Sequence, residues 1–207
     1  MGFARNFARG LRGRTAARAG YLDLCLPLFA APVTGVADTG FARVSGLYRG
    51  QMFDVQVVPD SLSVRKLPCL WLLVTVVAPL AVAGRFDVML RATGTETFSK
   101  FGDLPGQIAV PGGFPDGCSI RTDTAAAMPA ADIVGRYMAG LDDARLKEVV
   151  LAPTGARLVW LAEEADRGRY LLFRDAEMGA VALQPAVLQT LMDGLAGLWT
   201  AVAHANG

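Results

Sequence analysis

The stretch LPCLWLLVTVVAPLAVAG, residues 67–84, carries no charge and only one hydroxyl side chain, Thr75. It is either a membrane span or an interior strand, and every topology depends on which. Wound as an α-helix, its eighteen residues would reach about 27 Å, just short of a hydrocarbon core of about 30 Å. Pro68 and Pro79 punctuate the run, however, and Val74-Thr75-Val76-Val77 is β-branched, which favours a pleated strand.

The neighbouring segments decide the matter. Phe53, Val55 and Val57 alternate with Asp54 and Gln56, Leu62 and Val64 with Ser63 and Arg65, and Phe86, Val88 and Leu90 with Arg85, Asp87 and Arg91. A period of two marks half-buried strands. A membrane helix between them would put its flanking strands on opposite sides of a bilayer, where they could not pair. Leu70–Val77 is therefore expected to be an interior strand with both faces covered, and a single span through Leu67–Gly84 is the alternative.

Working outward, turns are expected at Gly50-Gln51 and Pro59-Asp60-Ser61, so the strands should form a meander of antiparallel hairpins. Short strands are expected at Gln107–Val110 and Cys118–Thr122. Gly112-Gly113 and Gly117 lack a following Gly-Lys-Ser/Thr and a helix start, so they read as turn residues and not as a phosphate loop. After Pro129, the spacing of Ile133, Val134, Tyr137, Met138 and Leu141 is helical, with a further short helix reaching about residue 148. Asp142, Asp143 and Glu148 alternate with Arg145 and Lys147, the pattern of a solvated helix face and not of a metal shell. Leu158–Leu161 and Tyr170–Phe173 read as a second hairpin. Pro185 opens a long helix whose Leu188, Leu191, Leu195, Leu198 and Val202 form one stripe, expected to pack on the protein's own sheet. His204 is expected to be a solvated terminal residue.

The expected fold is thus α+β: an antiparallel meander sheet with helices at about 130–148 and 185–204 packed on it. Residues 41–207 would form the single domain, and residues 1–40 a basic arm and linker. Arg5, Arg9, Arg12, Arg14 and Arg18 stand in the first twenty residues with no acid among them. On a helix, Phe3, Phe7 and Leu11 fall on one side and Arg5, Arg9 and Arg12 on another, suited to an anionic membrane surface. Phe3, Arg5, Phe7, Arg9 and Arg12 are the membrane-surface candidates. Leu22–Ala31 follows this basic stretch in the order of an export signal, but Asp23 and Pro27 interrupt it, and export is not expected.

At 207 residues with 53% hydrophobic side chains, the chain is long enough to bury a core without staples. Its net charge of +1 provides no global field for nucleic acid. Arg dominates over Lys, which occurs only at 66, 100 and 147; with the Ala and Gly content this reads as genome composition. Cys25, Cys69 and Cys118 are far apart, and His204 is the sole histidine. Disulfide frameworks, zinc or haem sites and Ser-His or Cys-His pairs are not expected, and a reducing compartment is.

G-L-Y-R-G at 46–50, R-F-D-V at 85–88 and F-P-D-G-C-S-I-R-T-D at 114–123 resemble bacterial domains of unknown function. In those domains a G-x-Y-x-G-R hairpin opens the sheet and a Phe-Asp segment precedes the helix. The resemblance covers about residues 41–204. Gln51 replaces the Arg, Pro115 splits the Phe-Asp pair, and Cys118-Ser119-Ile120 offers no aromatic. It implies a fold outline and no site.

The function expected is a non-catalytic, cytoplasmic module, peripheral at the inner membrane face or bound to a protein partner through its arm. No cofactor, metal or nucleic acid is expected. The alternative enzyme has one candidate nucleophile, Cys118, beside Asp116 and Arg121, where an Arg would lower its thiol pKa.

Overall fold

The structure, a computed structural model, describes residues 15–60, 67–92, 96–141, 144–168, 170 and 178–206. Its strands are β1 (Ala30–Val36), β2 (Ala42–Tyr48), β3 (Gln51–Asp60), β4 (Cys69–Val77), β5 (Phe86–Leu90), β6 (Gly106–Ile108), β7 (Cys118–Thr122), β8 (Leu146–Ala152) and β9 (Gly155–Glu164). The two longest helices among the described residues are α1 (Ala131–Gly140) and α2 (Pro185–Asn206), with 3-10 turns at Asp23–Leu28 and Phe101–Asp103. Among the described residues, nine antiparallel strands form one sheet in the order β1-β2-β3-β4-β9-β8-β5-β7-β6.

Leu67–Gly84 forms β4 and a loop, not a helix. β4 is hydrogen-bonded to β3 on one side and β9 on the other, so its backbone groups are satisfied within the sheet. Leu70, Leu72, Val74 and Val76 enter the main core, whereas Trp71 and Leu73 join a small cluster with Met89, Phe98 and Val159 on the opposite face. Both faces are covered at that end of the strand; at the other end Val77 is exposed.

The main core lies between the sheet and its helices. The α2 stripe Leu188, Leu191, Met192, Leu195, Leu198 and Val202 is buried there, beside Val134 and Met138 of α1. α2 is also long and apolar enough by composition to cross a membrane, but it lies against β4 and β9. Each such Leu side chain withdrawn from water stabilises the fold by roughly 1.5–3 kcal/mol.

Several expectations are corrected. The meander runs only from β1 to β4; β4 then pairs with β9, and β5 lies beyond β8. The first helix ends at Gly140, and the segment expected to continue it to about 148 contains the start of β8, which forms a hairpin with β9. Val149 and Val150 are β-branched and suit a strand, and Pro153-Thr154 makes the connection to β9. The β2–β3 turn is Arg49-Gly50, both at positive φ (49° and 80°), as a tight hairpin of this twist requires.

The linker expected within residues 32–40 contains most of β1, paired with β2. Before it, Tyr21, Leu22 and Cys25 are buried in the core. Leu183 N–H donates to Tyr21 O at 2.9 Å, and Cys25 Sγ lies 3.5 Å from Leu183 O as a weak donor. The folded body therefore begins well before Phe41. Phe3, Arg5, Phe7, Arg9 and Arg12, the strand expected at Leu62–Arg65, and Asp142 and Asp143 lie outside the described residues. So does the strand expected at Tyr170–Phe173, apart from Tyr170, which is helical.

Candidate functional site: a buried carboxyl pair and the cleft beside it

Strand alternation sends Phe86, Val88 and Leu90 of β5 into the main core and Asp87 and Met89 to the opposite face. One cross-strand row on that face reads Ser45, Asp54, Thr75, Arg157, Val150, Asp87 and Arg121. Every strand in the row except β8 contributes a polar side chain. Arg43 Nε donates to Asp54 Oδ1 at 2.7 Å, and Gln56 Nε2 to Asp54 Oδ2 at 2.8 Å. Arg157 Nε donates to Thr75 Oγ1 at 3.0 Å, and Arg85 Nη2 to Asp87 Oδ2 at 2.8 Å.

The centre of this network is sealed. Asp87 is 0% and Glu148 1% exposed. Ser99 hydrogen-bonds Glu148 Oε1, and its Oγ also accepts from Phe101 N–H at 3.0 Å. This loop, with Phe98 and Phe101, roofs the strands around Glu148. Burial, and after it the charge of Asp87, pushes the Glu148 carboxyl up to about 9. Burial also raises Asp87, against the lowering effect of its hydrogen bonds from Glu148 and Arg85. Glu148 is thus protonated at neutral pH. Asp87 Oδ1 is buried without a hydrogen-bond partner among the described residues, and the protonated Glu148 acts on the Asp87 carboxyl as a hydrogen-bond donor that lowers it. A proton shared by two carboxyls resembles an acid–base pair, but reacting atoms need access. With both groups closed off, the pair ties β5 and β8 together beneath the Ser99 loop.

Lys147 and Glu148, expected on a solvated helix face, are instead buried on a strand. A register shift between Leu146 and Glu148 accompanies the burial of both side chains. Lys147 Nζ donates to Leu90 O at 3.0 Å and Arg91 O at 2.7 Å, and pairs with Glu96 Oε1 at 3.1 Å. Arg91 Nη2 donates to Ala144 O and Leu146 O, both at 2.8 Å. Here a cleft of about 390 Å³ opens, lined in part by Asp60, Cys69, Trp71, Glu96, Phe98 and Glu164. The Trp71 and Phe98 rings stand 4.8 Å apart between centroids. A second cleft, about 510 Å³, lies between α1, β5 and residues 113–116.

Cys118 is the first residue of β7, opposite Leu90. Arg121, the expected activator, instead donates through Nη1 to Gly102 O at 2.9 Å and Leu104 O at 3.1 Å. Burial pushes the Cys118 thiol up; Arg91 works against this and Asp116 adds to it. The thiol is therefore less activated than a free cysteine. His204 is exposed, its Nδ1 2.9 Å from Thr200 O. Among the described residues, no group of three or more His, Cys, Asp or Glu side chains is placed to hold a metal ion.

Sequence reasoning identified none of Asp87, Glu148, Lys147 or Glu96 as part of a site. The available signal was a charged residue inside an apolar strand pattern, as in Leu146-Lys147-Glu148-Val149-Val150. Comparisons with protein-family models, curated proteins and solved structures find no match to this chain.

Proposed function

We propose that the chain is a non-catalytic α+β module of the cytoplasm that attaches to an anionic membrane surface or a protein partner through Phe3, Arg5, Phe7, Arg9 and Arg12. The observation that carries this reading is the root of the arm. Tyr21, Leu22 and Cys25 are buried, and the Arg18 guanidinium lies 5.2 Å from the centre of the Phe41 ring. A basic segment joined to so firm a root transmits its attachment directly to the folded body. The chemistry of the core favours the same reading, since the Asp87–Glu148 pair is sealed and the Cys118 thiol is raised.

Co-sedimentation with vesicles tests the membrane arm of the proposal. Wild type is expected to pellet with vesicles containing anionic phosphatidylserine, and less so as salt rises. Arg5→Gln/Arg9→Gln/Arg12→Gln is expected to stay in the supernatant. Equal pelleting of the two proteins would remove the arm as the membrane anchor.

A further inference from the structure

We propose that the cleft beside Trp71 is a binding site for a small hydrophobic organic cation, a quaternary or protonated amine. Its floor is a built charge pair, Lys147 and Glu96, whose side chains are each 7% exposed. The three ammonium protons of Lys147 match three acceptors already in place: Leu90 O, Arg91 O and Glu96 Oε1. Arg91 turns Nη2 to two backbone carbonyls. Among the described residues, both basic side chains lining the cleft are thus engaged with the protein itself, which disfavours an anionic ligand.

The carboxylates are disposed differently. Asp60 and Glu164 both face Cys69, one from β3 and one from β9. Two strand spacings put them on the order of 10 Å apart, wide enough to flank an alkylammonium head. Among the described residues, neither forms an ion pair or a side-chain hydrogen bond. Trp71 and Phe98 supply the apolar wall, and Trp is the ring whose face attracts a cation most strongly. The volume of about 390 Å³ falls within the usual range for small-molecule sites, roughly 300–1,000 Å³.

The probe is benzyltrimethylammonium, titrated into the full chain by isothermal calorimetry beside benzoate and benzyl alcohol. Benzyltrimethylammonium is expected to bind in the millimolar range, ahead of both controls. Asp60→Asn/Glu164→Gln is expected to weaken it about tenfold with an unchanged melting midpoint, and Trp71→Leu to weaken it comparably. Preference for benzoate, no binding of the cation, or equal binding by wild type and the Asp60/Glu164 variant would each overturn the proposal. Because these residues lie outside the arm, failure here leaves the vesicle result untouched.

Discussion

Glu148 on β8 keeps its proton beside the Asp87 carboxylate on β5, and burial pushes its pKa up to about 9. In the unfolded chain Glu148 titrates near its ordinary 4.5. Between these values the unfolded chain has lost a proton that the folded protein retains. Stability from this group is fully present below about 4.5, declines as pH rises, and stops declining above about 9. The raised Asp87 acts with the same sign. Urea denaturation of wild type and Glu148→Gln from pH 5 to 8 is expected to show wild type losing stability relative to the variant, by at most about 1.4 kcal/mol per pH unit. A pH-independent difference would mean that Glu148 is ionised in the fold.

The Arg85–Asp87 contact is the second test of this network. Asp87 Oδ2 lies 2.8 Å from Arg85 Nη2, with the Arg85 side chain 25% exposed and Asp87 fully buried. Arg85→Leu leaves a buried carboxylate without that partner, at a cost of about 3–5 kcal/mol. Arg85→Leu/Asp87→Asn is expected to recover part of the loss, because the remaining group is no longer charged. Chemical denaturation of the variants measures both, and a loss below about 1 kcal/mol for Arg85→Leu would show that Arg157 compensates the charge unaided.

These groups also mark where sequence pattern stops being informative. Leu67–Gly84 is apolar on both faces, so its own periodicity is silent, and the alternation in residues 53–57 and 86–90 identifies it as a strand. β1 was missed because all seven of its residues are exposed; an edge strand facing solvent has no apolar alternation, and Pro32 and Gly35 read as turn residues. β8 was missed because Lys147-Glu148 looks solvated. Its burial depends on Glu96 and Ser99, about fifty residues earlier in the chain, a long-range closure that no local window contains. The long helix α2 was legible because its own 3–4 spacing carries the information.

Cys118 provides a kinetic test. Its thiol is raised by burial, so at neutral pH little thiolate is present and iodoacetamide should label it slowly, with the rate climbing as pH rises. Mass spectrometry of the labelled peptide follows the reaction. Labelling of Cys118 at pH 7 much faster than that of a small free thiol would revive the nucleophile reading.

The last test concerns two glycines whose substitutions should have opposite signs. Gly155, at the β8–β9 turn, has φ +147°, and a Cβ there would run into the Val76 carbonyl oxygen of β4. The site lies in the ladder that joins β9 to the central strand, opposite Val77, so relief requires the two strands to separate. Gly155→Ala is expected to destabilise by more than about 2 kcal/mol through backbone strain and the lost pairing. Gly197, in the interior of α2, has nothing within 4 Å of an added Cβ. Gly197→Ala should therefore stabilise by roughly 0.4–1 kcal/mol, because the variant has less conformational freedom to lose on folding. Urea midpoints of the two variants against wild type decide it. A neutral Gly155→Ala would show that β4 and β9 are not held at that end of the sheet.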